Sequence, residues 1–146
     1  MFRSMIIFKM LFLSLLLLTS SMATAEQFKK FANLEVHYMA IPSTFVQPET
    51  ATQYKITRSK NNGLLNISIL DTRQNNQAVA ATLKGTGKNL IGQTHQLTFT
   101  QIKEGKAIYY IAEYPFTNEE IVNFEINLKT ETKSNTLKFQ HKFYVD

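Results

Sequence analysis

The strongest constraint on the fold is a strict alternation of apolar and polar residues near the C-terminal end. The apolar members are Val122, Phe124, Ile126 and Leu128, and every residue between them is polar. Successive side chains of a β-strand point to opposite faces of its sheet, so this pattern predicts a strand with one buried face. The same period recurs over residues 137–145, after a polar turn at residues 132–135.

Five further segments show strand patterns that short polar stretches separate. They are residues 34–40, 64–70, 79–83, 97–102 and 107–114. Asn62–Gly63 predicts a turn immediately before the segment 64–70, and Lys103–Lys106 predicts the turn of a hairpin. Residues 71–77 predict an exposed hairpin loop. Gly85 and Gly87 are expected to break the strand that contains Leu83.

Helical signals are confined to one short segment. Pro48 suits a first helical turn and Glu49 suits the positive end of the helix dipole, which predicts a helix of a turn or two. About seven strands without a long helix predict an all-β fold, a single antiparallel β-sandwich of the immunoglobulin-like kind. A small barrel is the second possibility. The cysteines and tryptophan of true immunoglobulin domains are missing, so the prediction concerns architecture only.

The first twenty-five residues predict a secretory signal peptide. Arg3 and Lys9 precede an apolar block at residues 10–18, and small residues follow up to Ala25. This order gives the basic, apolar and cleavage regions of a signal peptide, with cleavage expected between Ala25 and Glu26. The apolar block is far shorter than the ~20 residues that a membrane-spanning helix needs. Residues 26–146 are therefore expected to form one domain in the periplasm or outside the cell.

The composition of the exported part limits its chemistry. Without Arg3 and Lys9, fourteen basic residues stand against eleven acidic ones, and no basic run occurs. A mild positive charge without such a run argues against a nucleic-acid partner. The chain has no cysteine, which excludes disulfides, thiolate catalysis and a lipid anchor at the cleavage site. Stability must come from core packing.

The spacing of the reactive residues does not indicate a catalytic or metal site. His37, His95 and His141 fall on or beside separate predicted strands, without the short spacings of metal ligands. The carboxylates at 119–120 are adjacent, whereas an acid and base pair must flank its substrate. Residues 85–88, Gly-Thr-Gly-Lys, lack the strand-to-helix setting of a phosphate loop, so a flexible turn is expected. No cofactor is predicted, and an enzyme is the less favoured class.

Six segments carry a family resemblance. They are MAIPSTF at 39–45, ITRSKN at 56–61, GLLNIS at 63–68, NLIGQ at 89–93, YYIA at 109–112 and KFYVD at 142–146. Together they resemble a family of small exported Gram-negative bacterial proteins known only as a domain of unknown function. The resemblance covers nearly the whole exported part. It implies one periplasmic or secreted β-rich domain and brings no catalytic residue or ligand.

The polar turn before residue 62 is the candidate binding surface. Arg58 offers a planar set of donors, Lys60 a mobile charge and Asn61 an amide. Tyr54 and Tyr110 are candidate members of this surface, because tyrosine offers a rigid amphipathic ring. Arg58 also has a structural interpretation, in which it donates to loop carbonyls and holds the turn in place.

Two classes of function are consistent with these residues. The leading hypothesis is a non-enzymatic interaction module, in which the sandwich presents a loop surface or an edge strand to an envelope protein or peptide. The alternative is a small-ligand binder or an unrecognised hydrolase that uses Arg58, Lys60 and Asn61. The alternative requires a concave site where these groups meet a tyrosine or glutamate, whereas the module requires an accessible patch or edge.

Overall fold

The computed structural model describes residues 27–145. The predicted signal peptide and its cleavage site between Ala25 and Glu26 lie outside the described residues. Within residues 27–145, ten strands form two antiparallel sheets, together with one α-helix and one 3-10 turn. The predicted all-β fold, a sandwich of immunoglobulin-like architecture with one short helix, is confirmed.

The elements follow one another along the chain with mostly short connections. In chain order they are β1 (Phe28–Phe31), β2 (Leu34–Pro42), a 3-10 turn (Ser43–Phe45), α1 (Pro48–Tyr54), β3 (Asn62–Asp71), β4 (Gln77–Ala78), β5 (Thr82–Asn89), β6 (Thr94–Leu97), β7 (Thr100–Glu104), β8 (Ala107–Pro115), β9 (Ile121–Lys129) and β10 (Ser134–Lys142). The first sheet has the order β1-β2-β3-β8-β7, and β4 pairs with the far end of β3. The second sheet has the order β10-β9-β5-β6.

The core lies between the two sheets and follows the alternation in the sequence. Every second residue of β9 from Val122 to Leu128 is buried, and the residues between them are exposed. Leu65, Ile67 and Ile69 of β3 are buried on the facing sheet. The inner faces of the two sheets therefore form one apolar cluster.

A second, smaller cluster lies on the outer face of the first sheet. Leu64, Ile102 and Ile111 are buried there against side chains of α1 and its flanking segments. The helix begins with Pro48 and ends before Lys55, which adopts a left-handed conformation. The predicted short helix is confirmed, and it covers an apolar face that would otherwise be exposed to solvent.

The turn predicted at Asn62–Gly63 lies a few residues earlier. The reversal occurs at Ser59–Asn62, where the amide of Asn62 donates to the carbonyl of Ser59 at 3.2 Å. Gly63 is a buried strand residue that pairs with Pro42 and Tyr114. A Cβ atom at Gly63 would lie 2.6 Å from the ring of Phe143, so the glycine makes room for an aromatic side chain and supplies no turn conformation.

The prediction that Gly85 and Gly87 end a strand is wrong. Both lie inside β5, which pairs with β9 on one side and β6 on the other. A Cβ atom at Gly87 would lie 2.4 Å from the Tyr114 ring, and one at Gly85 would lie 2.6 Å from a carbonyl oxygen of β9. The flexible turn expected at residues 85–88 is therefore a strand that packs closely against the facing sheet.

Two predicted strands differ from the observed ones. The segment 97–102 is two strands, because the chain crosses at Thr98 and Phe99 from β6 in the second sheet to β7 in the first. Leu97 packs in the main core, whereas Ile102 packs in the smaller cluster. The segment 79–83 is a strand only from Thr82 onward. The hairpin of β7 and β8 and the loop after β3 are confirmed.

The long strand β10 forms an edge of the second sheet, and β1 lies beside this edge. The side chain of Lys29 in β1 donates to the carbonyl of Lys138 in β10. The rings of Tyr38 and Phe139 stack with their centroids 4.5 Å apart. These contacts close the sandwich along its open side, and the lysine occupies a backbone acceptor that an added strand would use.

We expect Gly87→Ala to lower the free energy of unfolding by about 1–3 kcal/mol, because the added methyl group overlaps the rings of Tyr114 and Phe124. Thr86→Ser, on the outer face of the same strand, is the matched control and should change stability by about 0.5 kcal/mol or less. Urea unfolding followed by circular dichroism measures both. Equal effects of the two substitutions would contradict the close-packing role of Gly87.

Candidate functional site

One end of the sandwich collects the loops that connect both sheets. Segments 43–47 and 58–61 precede β3, 89–93 joins β5 to β6, 116–120 joins β8 to β9, and 143–145 follows β10. We call these five segments the apical surface. Asn61 and Phe116 exchange hydrogen bonds, and the amide of Phe143 donates to the carbonyl of Glu120 at 2.9 Å. The apical segments of the two sheets are thus tied into one surface.

Arg58 holds the turn before β3 in place. Its Nε donates to the carbonyl of Val46 at 2.8 Å, and its Nη2 donates to the carbonyl of Thr44 at 3.1 Å. Beside it, the buried hydroxyl of Ser43 donates to the carbonyl of Ser59 and accepts from the amide of Ser59. The geometry favours the structural interpretation of Arg58, because two of its donor groups are used within the protein.

Lys60 and Asn61 differ in their contacts. The Asn61 amide Nδ2 donates to the carbonyl of Phe116 at 3.1 Å, and the Phe116 amide donates back to the Asn61 carbonyl at 2.9 Å. Asn61 therefore joins two apical segments. Lys60 is exposed, and its side chain makes no hydrogen bond or ion pair within residues 27–145. Of the three polar residues predicted for this turn, Lys60 is thus the one that no contact within the protein holds in place.

The two candidate tyrosines lie away from Arg58. Tyr54, at the end of α1, donates its hydroxyl to Glu104 in β7, and this bond raises the pKa of Tyr54. Tyr110 is buried in the core, where its hydroxyl oxygen accepts from the amide of Ala81 at 2.8 Å and from Gln101 at 2.9 Å. Tyr110 thus connects the residue before β5 to the first sheet through a hydrogen bond. Because it is buried, it does not form a surface with Arg58.

The tip of the β5–β6 hairpin is the most unusual part of the apical surface. Leu90 and Ile91 are 68% and 80% exposed, on adjacent residues of a tight turn. The buried side chain of Asn89 braces this turn by accepting from the amide of Gln93 at 2.8 Å and donating to its side chain at 2.8 Å. Gly92 adopts a positive φ of 87°, which lets the chain reverse. Two aliphatic side chains are therefore held in solvent by an ordered turn.

Glu120 connects the hairpin tip to the loop before β9. One carboxylate oxygen accepts from Asn89 at 3.3 Å, and the other accepts from the amide and hydroxyl of Thr117. Nearby Tyr114 has a raised pKa, first because its ring is buried and second because of the negative charge of Glu120. Glu120 is therefore an acceptor of hydrogen bonds within the protein, in the loop that precedes β9.

Leu90 and Ile91 were not among the residues predicted for the binding surface. Turns between strands are usually built from Gly, Asn, Asp, Ser and Pro, and two large aliphatic residues in such a turn are an unusual signal. Leu90 and Ile91 were not assigned to a hairpin turn, because Gly85 and Gly87 were expected to end the strand before Asn89. Recognising that the strand continues to Asn89 would have placed both aliphatic residues at a hairpin tip.

The three histidines do not converge. His95 and His141 lie on β6 and β10, the two opposite edges of the second sheet, and His37 lies on β2 of the first sheet. His37 contacts the Glu35 carboxylate at 2.7 Å, and burial lowers the pKa of His141. Within residues 27–145, no three His, Asp or Glu side chains are grouped as metal ligands would be.

The larger surface depressions lie at the end opposite to the apical surface. One of about 650 Å³ is lined by Lys84, Lys129 and Glu131, and one of about 440 Å³ by Asp71, Arg73 and Lys133, among other residues. A small one of about 60 Å³ adjoins Tyr54. Arg58, Lys60 and Asn61 line none of these three depressions, so the concave site that the alternative hypothesis requires is not found at them.

The fold and the apical surface define a small β-sandwich domain whose exposed loops are braced by internal hydrogen bonds. The chain belongs to the DUF4426 family, a domain of unknown function, whose model matches residues 28–146. A crystal structure of a DUF4426 family protein from Pseudomonas aeruginosa PAO1 is similar to it, with 30% identity and a TM-score of 0.75, covering 85% of this chain and 98% of that one. The predicted family resemblance is confirmed.

A more distant likeness shows the fold alone. FetP from uropathogenic Escherichia coli strain F11, recombinantly expressed in the periplasm, has 12% identity and a TM-score of 0.62, covering 82% of this chain and 94% of FetP. A copper-bound variant of FetP matches with 12% identity and a TM-score of 0.60, covering 82% and 95%. No curated protein matches the sequence significantly. Within residues 27–145, no helix is long and apolar enough to span a membrane.

We expect Arg58→Ala to lower the free energy of unfolding by about 1–2 kcal/mol, because the carbonyls of Thr44 and Val46 lose a charged donor. Lys60→Ala, two residues away and exposed, should change stability by about 0.5 kcal/mol or less. Thermal and urea unfolding of both variants measure the difference. Wild-type stability in the Arg58 variant would argue that the side chain is retained for binding and not for the turn.

Proposed function

We propose that this protein is an exported, non-enzymatic interaction module that binds an envelope protein or peptide through its apical surface. The observation that carries this proposal is the pair Leu90 and Ile91, 68% and 80% exposed on an ordered hairpin tip. Large adjacent aliphatic side chains in solvent are unfavourable for an isolated domain and favourable where a partner buries them.

The order of the tip supports the same function. A binding loop that is already in its bound conformation loses little conformational entropy on association. Asn89 supplies this order through its hydrogen bonds to Gln93, and Glu120 connects it to the neighbouring loop. Elsewhere on the apical surface, Lys60 and the exposed ring of Tyr144 offer polar and aromatic contacts. The partner best suited to this surface has an apolar pocket with a polar border.

The alternative of a small-ligand binder or hydrolase at Arg58, Lys60 and Asn61 has less support. Arg58 and Asn61 donate to backbone carbonyls of their own loops, which leaves Lys60 as the free polar group. Copper binding is a property of the FetP variant, and at 12% identity that likeness concerns the fold. The separate positions of the three histidines give no reason to carry copper over to this chain.

Export is part of the proposal, and it has a direct test. The basic, apolar and small-residue order of residues 1–25 supports cleavage before Glu26. We expect the intact mass of the protein recovered from a periplasmic fraction to correspond to residues 26–146. A full-length mass, or recovery from the cytoplasmic fraction alone, would contradict the proposed address.

We expect a photo-reactive amino acid at position 91 to form a discrete cross-linked adduct in cells, because the proposed partner covers this side chain. The matched control places the same amino acid at position 103, an exposed site on β7 of the other sheet. Mass spectrometry of the adducts identifies the partner. An adduct from position 91 and none from position 103 is the expected result.

A second variant separates binding from folding. Leu90→Ser combined with Ile91→Ser leaves Asn89 and Gly92 intact, so the turn and the fold should be retained. With the photo-reactive amino acid at position 60, this double variant should lose the adduct that the parent forms. An unchanged adduct in a folded double variant would show that the hairpin tip does not contact the partner.

A further inference from the structure

The outer face of the second sheet carries an uneven share of the charge. The outward positions of β5, β9 and β10 include Lys84, Lys88, Lys129, Lys138 and Lys142, with Glu125 as the only carboxylate among them. Residues 27–145 contain twelve lysines and nine carboxylates in all. The outward strand positions therefore hold five of the twelve lysines and one of the nine carboxylates, and a second carboxylate, Glu131, lies in the turn after β9 beside Lys84 and Lys129.

The lysines form a two-dimensional array. Lys84 and Lys88 are four residues apart on β5, as are Lys138 and Lys142 on β10, which is about 13 Å along each strand. Since β9 separates the two strands, the rows are about 10 Å apart. Both spacings exceed the Debye length of about 8 Å at physiological ionic strength, so the lysines repel one another only weakly and each can pair with its own anion on a flat partner.

The polar side chains between the lysines are paired across the strands. Gln140 donates to Asn123 at 3.0 Å, and Thr136 donates to Asn127 at 2.9 Å. Lys138 lies 3.9 Å from Glu125, but both side chains are more than half exposed, so this ion pair is weak. The amides and hydroxyls thus satisfy one another on the sheet surface. The ammonium group of Lys142 lies 5.2 Å from the centre of the Tyr144 ring, whereas Lys84, Lys88 and Lys129 form no ion pair within residues 27–145.

The chemistry of the face narrows the class of ligand. None of the outward strand positions of β5, β6, β9 and β10 holds an aromatic residue, and the neighbouring ring of Tyr144 lies under the ammonium group of Lys142. The face therefore offers no row of rings on which successive bases could stack. None holds an arginine, the residue that would form a fixed bidentate phosphate site. Mobile lysines spread over three strands complement a plane of anions better than a single linear chain.

We propose that the outer face of the second sheet docks on a bilayer surface that contains anionic phospholipid headgroups. Each lysine near such a surface contributes favourably, and clusters of four to eight basic residues are typical of peripheral binding to anionic lipid. Charge complementarity carries the proposal, because the face lacks the apolar area that would insert into the bilayer. The surface is separate from the apical hairpin tip, so the bound domain keeps Leu90 and Ile91 available.

The test is vesicle co-sedimentation of the exported protein, with removal of the leader verified by intact mass. Vesicles of phosphatidylcholine are compared with vesicles in which phosphatidylglycerol replaces part of the phosphatidylcholine, at low and at physiological ionic strength. We expect binding only to the anionic vesicles and weaker binding as salt rises. The variant K84Q/K129Q/K138Q should bind at least about tenfold more weakly than the parent.

The matched control is K55Q/K103Q/K106Q, which removes the same charge from exposed positions near α1 and the β7–β8 hairpin. It should bind nearly as tightly as the parent. Equal losses in the two triple variants would overturn the proposal, because binding would then reflect net charge. Failure of the parent to bind anionic vesicles, or binding to soluble polyphosphate but not to vesicles, would also overturn it. Unfolding curves of each variant verify that the fold is intact.

Discussion

The packing of Tyr114 against glycine backbone is the constraint on which the rest of the sandwich depends. The ring is fully buried between the sheets, directly over Gly87, and it contacts Phe124 and Phe143. Phe143 in turn fills the space left by the missing side chain of Gly63. Larger residues at either glycine would separate the sheets at this end. Asn89 follows Gly87 by two residues, so the position of the hairpin tip depends on the same contact.

The periodic strands could be predicted from the sequence, and the long-range contacts could not. Alternation of one buried and one exposed residue located β9 and β10 because each strand has one solvent face. The prediction for Gly85 and Gly87 was wrong because their close neighbours are far away in the chain: the backbone of β9 for Gly85, and the rings of Tyr114 and Phe124 for Gly87. The crossover at Thr98 and Phe99 was missed for a similar reason, since a local pattern does not reveal which sheet a strand joins.

The candidate site was predictable only in part, because a side chain in a loop has many potential partners. The hydrogen bonds from Arg58 to loop carbonyls were anticipated as one of two interpretations, and the geometry favours that one. The burial of Tyr110 depends on its bonds to Ala81 and Gln101, which lie on other elements. The exposed hairpin tip could not be predicted, because Leu90 and Ile91 lie at a tip only if β5 continues through both glycines to Asn89. That strand supplies the close packing on its inner side, lysines on its outer side and the apical tip at its end.

The contact between Lys29 and the carbonyl of Lys138 lies at the edge of β10 where a further strand could pair. Residue 29 lies three positions after the expected first residue of the exported chain, on a short strand beside the open edge of β10. β10 is nine residues long, and one of its outward carbonyls, that of Lys138, is occupied by this side chain and not by another strand. Loss of Lys29 would return that acceptor to the exposed edge, where a strand of a second copy could pair with it. A single N-terminal side chain thus contributes to keeping this edge from pairing between molecules.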